Sequence, residues 1–117
     1  MQHHKAQRKL GRVRSQRTAL LRSLARELFV RGSINTTIAK AKEVRPFAER
    51  LITASKKNTI ASRRHVSAEL GNEEDVVKKL HDDIAPKYKN RPGGYTRITK
   101  LGRIGARVAE EARIELV

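Results

Sequence analysis

The sequence contains no cysteine and no tryptophan, and has only four aromatic residues (Phe29, Phe47, Tyr88, Tyr95) and three prolines (Pro46, Pro86, Pro92) in 117 positions. Without cysteine there are neither disulfides nor thiolate metal sites, so the fold must rest on packing and on whatever the protein binds, and a reducing compartment is compatible with it. Hydrophobic residues make up 38%, below the about 45 to 50% of an average globular domain, so a small aliphatic core is expected. No apolar run approaches the roughly 20 residues that a membrane span needs. Met1 to Arg17 is basic throughout, with no apolar stretch behind it resembling a signal peptide, and a cytoplasmic location is expected. Acids are scarce as well: 12 Asp and Glu stand against 27 Lys and Arg, a formal net charge of +15. Such an excess opposes compaction unless a polyanion neutralises it, and for a small basic domain that polyanion is most often nucleic acid.

The chemistry of enzymes is missing too. His3 and His4 are adjacent in a basic segment without a nearby carboxylate or cysteine, a poor setting for a metal. His65 and His81 fall on different predicted helices, and no phosphate loop, paired-carboxylate site or nucleophile elbow is present. A short chain with so few aromatics has little material for a closed apolar active site. The expectation is a protein without catalysis, cofactor, metal or small-molecule substrate.

What is present is helical periodicity followed by alternation. The length suits one domain. Leu20, Leu21, Leu24, Leu28 and Phe29 form one stripe of an amphipathic helix that starts at Thr18 and stops at Gly32. Ser33 to Thr37 reads either as a brief strand or as a cap for the next helix, with Thr36 or Thr37 as the N-cap. Ile38, Ala41, Val44, Ala48, Leu51 and Ile52 predict a second helix through about Lys57, with a kink or restart near Arg45 because Pro46 removes a backbone donor. Asn58 to Leu70 predicts a third helix with Ile60, Ala61, Val66 and Leu70 inward, closed by Gly71. A fourth, capped by Asn72, carries Glu73, Glu74 and Asp75 in its first turn and buries Val76, Val77, Leu80 and Ile84 before Pro86 ends it. After Gly93 and Gly94 the residues from Tyr95 to Leu101 alternate as a strand, and Ala112 to Val117 predict a second strand antiparallel to it. The intervening loop, about Gly102 to Glu111, is long for a hairpin. The fold class expected is α+β: a helical core of about four helices with a C-terminal antiparallel hairpin, over residues 19–117, behind a basic arm at 1–18.

Charge is unevenly distributed. Residues 1–18 hold Lys5, Arg8, Lys9, Arg12, Arg14 and Arg17 and no acid; alone in water such a segment has little reason to fold, and it is expected to order on RNA. Met1 to Arg26, which adds Arg22, and Lys87 to Arg107 are both free of acids, whereas Glu69 to Asp83 holds six. Two basic segments and one acidic face favour a defined polyanion footprint over diffuse stickiness, and the lack of interleaved bulky apolar residues argues against a membrane. Arginine's planar fork bonds phosphate bidentately and stacks on exposed bases. The expected RNA contacts are the arm (His3, His4, Lys5, Arg8, Lys9, Arg12, Arg14, Arg17), Arg22, Arg63 and Arg64, then Arg91, Gly93, Gly94, Tyr95, Thr96, Arg97, Lys100 and Arg103. Gly93 and Gly94 let a backbone approach phosphate closely. Tyr95 reads equally as a base-stacking face or as a core residue, and Lys56 and Lys57 equally as contacts or as solvated helix surface.

Three segments carry a resemblance: Met1-Gln-His-His-Lys5 with Arg8-Lys9-Leu10-Gly11-Arg12, then Thr36-Thr37-Ile38-Ala39-Lys40-Ala41-Lys42-Glu43, then Arg91-Pro-Gly-Gly-Tyr95-Thr96-Arg97-Ile98. In this order they resemble the bacterial large-subunit ribosomal protein L-seventeen family, nearly end to end and closing with Ile114-Glu115-Leu116-Val117. Gln2 and Pro46 depart from the family pattern. The resemblance implies a compact α+β domain with a basic N-terminal extension, bound to large-subunit ribosomal RNA on the outer side near the peptide exit, without catalysis. It also implies neighbouring large-subunit proteins, with the small ribosomal proteins L-thirty-two and L-twenty-two as candidates. The runner-up is a nucleoid-type DNA-binding protein, which would need a dimer interface or a recognition helix; an RNA chaperone or an accessory to an RNA-modifying enzyme is the third.

Overall fold

The computed structural model describes residues 13–103 and 110–117. Four helices and a three-stranded sheet run in the order α1 (Arg14–Arg31), β1 (Ser33–Thr37), α2 (Ile38–Lys56), α3 (Ile60–Glu69), α4 (Glu74–Lys79), β2 (Thr96–Gly102) and β3 (Glu111–Leu116), with a π-helical turn at Leu80–Ile84 and a 3-10 turn at Ala85–Tyr88 between α4 and β2. The α+β class expected from the sequence is the one observed.

Helix α1 begins at Arg14, four residues before the start that its apolar stripe suggests, and buries Leu21, Ala25, Leu28 and Phe29. It ends at Gly32, whose φ of 84° is left-handed and whose N–H donates to the Leu28 carbonyl at 2.7 Å, a termination that glycine meets without a Cβ penalty. The two readings of residues 33–37 are both realised: they form a strand, and Thr37 accepts from the Lys40 N–H as the N-cap of α2. Of the kink or restart expected near Arg45, the restart does not occur: helix α2 passes through Pro46 as one element. Pro46 is exposed, while Ala41, Val44, Ala48, Leu51 and Ile52 on the other side are buried and hold both halves of the helix to the core.

Helix α3 is two residues shorter at its start than expected, because Thr59 and Ser62 form a reciprocal capping box. Ile60, 72% exposed, and Ala61 both face outward instead of inward as expected, because the face of α3 that packs on the core runs through Ser62, Val66 and Leu70, all buried. Asn72 does not cap α4. It adopts φ 63° after Gly71 in the turn that closes α3, donating its N–H to the Ser67 carbonyl at 2.7 Å, and Glu73 is the N-cap of α4. Nor does Pro86 end the helical run: it lies in the first turn of the 3-10 segment, where a missing N–H costs nothing.

Strand β3 lies between β1 and β2, antiparallel to both. The expected hairpin is thus one side of a sheet whose other edge comes from the short segment before α2. Ile34, Ile114 and Ile98 stand side by side across the three strands, with Ile114 fully buried. A bulge between Lys100 and Gly102 ends the regular register. Helix α2 packs against all three strands and against α1 and α3, so it is the spine of the domain, with one face in the core and the other available to a partner.

Candidate nucleic-acid interface

The free face of α2 carries Pro46, Arg50, Thr53 and Lys57 at steps of four, three and four residues, one line along the helix. Three recesses follow this line. The first, of about 200 Å³, is lined by Arg14 and Arg17 of α1 with Phe47 and Arg50, and by the acid Glu69. The second, of about 560 Å³, is lined by Arg50, Lys57, His65 and Gly93 with Pro46 and Ala54. The third, of about 460 Å³, is lined by Lys56, Lys57, Asn58, Pro86 and Lys89. Arg50 belongs to the first two, and Thr53 and Lys57 to the last two, so neighbouring recesses share walls and are taken together as one trough, with cations in each and Glu69 and Glu49 beside them. Lys57 is thereby placed at a site that the sequence left undecided, and Arg50 and His65 join it without any linear signal beyond a cation spaced helically on a polar face.

The loop before β2 forms part of the trough wall, and Lys56 fixes it. Its Nζ donates to the Arg91 carbonyl and, at 3.0 Å, to the Tyr95 hydroxyl, and stands 5.1 Å from the centroid of that ring. Lys56 is therefore a strap inside the protein. Tyr95 is 1% exposed, and its ring lies 5.1 Å from that of Tyr88, so of its two readings the structure shows Tyr95 packed in the core. Burial pushes the Tyr95 hydroxyl up, but hydrogen bonds from Lys56 and Thr53 and the Lys56 charge bring it net below the ordinary 10.0. The Tyr88 hydroxyl moves the other way, raised by burial against a smaller opposing pull from Arg91.

Thr96 is likewise a structural residue: it is buried, and its N–H and hydroxyl both donate to Glu49 Oε2, at 3.1 and 2.9 Å. Arg45 completes the set, 3.8 Å from the same carboxylate oxygen. Arg22 is half-buried with Nε donating to the Glu69 carbonyl, and Arg26 Nη1 donates to the Leu70 carbonyl, each at 3.0 Å. Two arginines of α1 thus cap the C-terminus of α3, where its carbonyls lack intrahelical partners and the dipole favours cations. Arg63 is exposed but turned to its own domain, with Asn58 at 3.3 Å and Asp82 at 3.6 Å, and Arg64 is exposed on the same helix. On the sheet, Arg97 holds Glu115 through Nε and Nη2 while remaining well exposed, and Lys100 and Arg103 are exposed beyond it. Arg91 and Gly94 are exposed on the strapped loop, and Gly94 has φ 65°. Of the arm, Arg14 and Arg17 reach the trough; His3, His4, Lys5, Arg8, Lys9 and Arg12 lie outside the described residues, as does the loop 104–109.

Ribosomal protein L17 is the family that matches residues 20–117. The chain belongs to this ribosomal protein family. It is 51% identical to the large ribosomal subunit protein bL17 of Fusobacterium nucleatum subsp. nucleatum and 51% identical to that of Dictyoglomus thermophilum, in both cases over the whole of both chains. The large ribosomal subunit protein bL17 of Halothermothrix orenii is 50% identical, over 95% of this chain and 96% of its own. Membership of the L-seventeen family agrees with the resemblance carried by the three sequence segments. Among the described residues no helix is long and apolar enough to cross a membrane, and no group of side chains is suited to a metal ion.

Proposed function

We propose that this protein is a structural constituent of the large ribosomal subunit in the bacterial cytoplasm, where it binds large-subunit ribosomal RNA and supports subunit assembly. The observation that carries this reading is the trough along α2, with Arg14, Arg17, Arg50, Lys57 and Lys89 lining it, in a chain of net charge +15 whose full-length relatives are large-subunit proteins. Cations along a concave path neutralise successive phosphates and release their counterions, which is the main source of affinity for a nucleic-acid backbone. The arm adds His3, His4, Lys5, Arg8, Lys9 and Arg12 to that path and reaches between RNA helices, neutralising phosphates that must approach one another closely. Arg97 and Lys100 of β2, with Arg103 just beyond it, form a second contact. Neighbouring large-subunit proteins, with the small proteins L-thirty-two and L-twenty-two as candidates, complete the surroundings. The protein acts by position and charge and turns over no substrate.

Sedimentation of a cell lysate through sucrose in magnesium buffer at about 0.5 M salt, which screens loose electrostatic attachment, tests this. One copy per large subunit in the subunit peak is the expected result. Recovery at the top of the gradient or with chromosomal DNA overturns it.

A further inference from the structure

Gly93 is a glycine without an internal reason. Its φ is not in the left-handed region, and a Cβ built on it would meet no atom within 4 Å. Gly94 beside it has φ 65° and is accounted for by its own turn. Neither backbone conformation nor packing within the protein therefore demands glycine at 93, and the remaining physical reason for a bare backbone is the close approach of something from outside. Gly93 lines the central recess of the trough together with Arg50, Lys57 and His65, and Lys56 pins the loop that carries it.

From this we propose that the central recess seats an unpaired RNA segment of a few nucleotides, with its sugar-phosphate strand passing over the Gly93 backbone and a base against His65 and Arg50. The proposal rests on the ribosomal RNA reading above and names the kind of RNA that this site takes. Shape argues for unpaired over duplex RNA. The cations sit along a recess of about 560 Å³, and the line from Phe47 to Lys57 along α2 is about 15 Å long; a paired helix is convex and meets only the rim of such a trough, whereas a single strand enters it with its bases splayed. Chemistry agrees. Single-strand sites combine a cationic track with flat side chains on which bases stack; the tyrosines are buried, but His65 and Arg50 are exposed, and imidazole and guanidinium both serve as platforms. Glu49 also lines the recess, but its Oε2 accepts from the Thr96 N–H and hydroxyl and faces Arg45, which offsets its charge locally. Pro46 and Ala54 supply apolar floor for a base.

The test is chemical probing of 2′-hydroxyls and affinity measurement on full-length large-subunit ribosomal RNA with the wild-type chain, Gly93→Val, the double variant Arg50→Gln/His65→Ala, and Lys78→Gln as a control outside the trough. Wild type is expected to protect a short run of unpaired nucleotides. Gly93→Val and the double variant, with unchanged circular dichroism and Tm, are each expected to re-expose that run and to weaken binding roughly 5- to 150-fold, the equivalent of one lost stacking contact, while Lys78→Gln does neither. Should Gly93→Val unfold the chain, the double variant decides alone, since both its positions are exposed. Protection confined to base-paired nucleotides, or a footprint unchanged in the variants, overturns the proposal and leaves the ribosomal reading intact; a wild-type chain that protects nothing on this RNA sinks both.

Discussion

At the scale of single residues, the decisive finding is how many polar side chains in the basic segments serve the fold. Lys56, Arg22 and Arg26 all donate to backbone carbonyls of other elements, and Thr96 is held by Glu49. The two tyrosines, the only ones in the chain, make this measurable because their hydroxyls are displaced in opposite directions. An alkaline titration followed by phenolate absorbance is expected to resolve two steps on either side of 10.0, with Tyr95→Phe abolishing the lower and Tyr88→Phe the upper. The signs for stability follow by linkage. Tyr95, ionising more readily in the folded state, adds stability as pH rises from its folded value to 10.0, and that increment is lost as pH falls back through the folded value. Tyr88, holding its proton longer, contributes stability that is complete below 10.0 and is lost as pH rises through its higher folded value. A single step centred at 10.0 would contradict the Lys56 strap.

Individual elements show where local preference yields to packing. Pro46 denies the Lys42 carbonyl its helical partner, yet α2 remains one helix because Val44 and Ala48, both fully buried, are fixed on either side of it. Proline in a helix interior costs about 3 kcal/mol, part of which is recovered because proline also restricts the unfolded chain. Pro46→Ala is therefore expected to stabilise the domain by about 1 to 2 kcal/mol in urea unfolding; a loss of stability would mean that the helix is built around the proline. In the sheet, β3 is paired on both sides, and Ile114 lies between Ile34 and Ile98 with no exposed surface. Ile114→Ala should cost about 2 to 5 kcal/mol by denaturant titration, the range for a buried large-to-small change. Ile60→Ala on α3, exposed despite its hydrophobicity, is expected to stay within about 0.5 kcal/mol of wild type.

Across the whole molecule, charge is arranged as a path. The trough joins the first turn of α1 to the loops at the far end of α2, and the arm 1–12 continues from that first turn in sequence. Contacts to about eight phosphates would make affinity for ribosomal RNA fall roughly 10³- to 10⁵-fold between about 50 and 200 mM salt. Removing residues 1–12 leaves α1 whole, since it begins at Arg14, and is expected to flatten that salt dependence without lowering Tm. Arg50→Gln or Lys57→Gln should each reduce the slope by about one. A slope untouched by the deletion would remove the arm from the RNA contact.

The sequence by itself determined the class of partner and most of the elements. The +15 charge and its local reversal over residues 69–83, where six acids meet Lys78 and Lys79, depend on composition and order alone, and apolar periodicity marks α1, α2, α4 and β3 because each buries one face. Gly32 was legible as a stop because a left-handed residue after an apolar stripe has few other solutions. Only the tertiary structure decided which cations are tied to the protein's own carbonyls and which are left exposed. Arg22 and Arg50, or Lys56 and Lys57, are alike in sequence; Arg22 and Lys56 donate to carbonyls of other segments while Arg50 and Lys57 are exposed, a difference set by which segment packs beside which. The fate of Tyr95, the outward turn of Ile60 and the third strand were decided in the same way, because each depends on contacts between residues far apart in the chain, and these leave no periodic trace within any one segment.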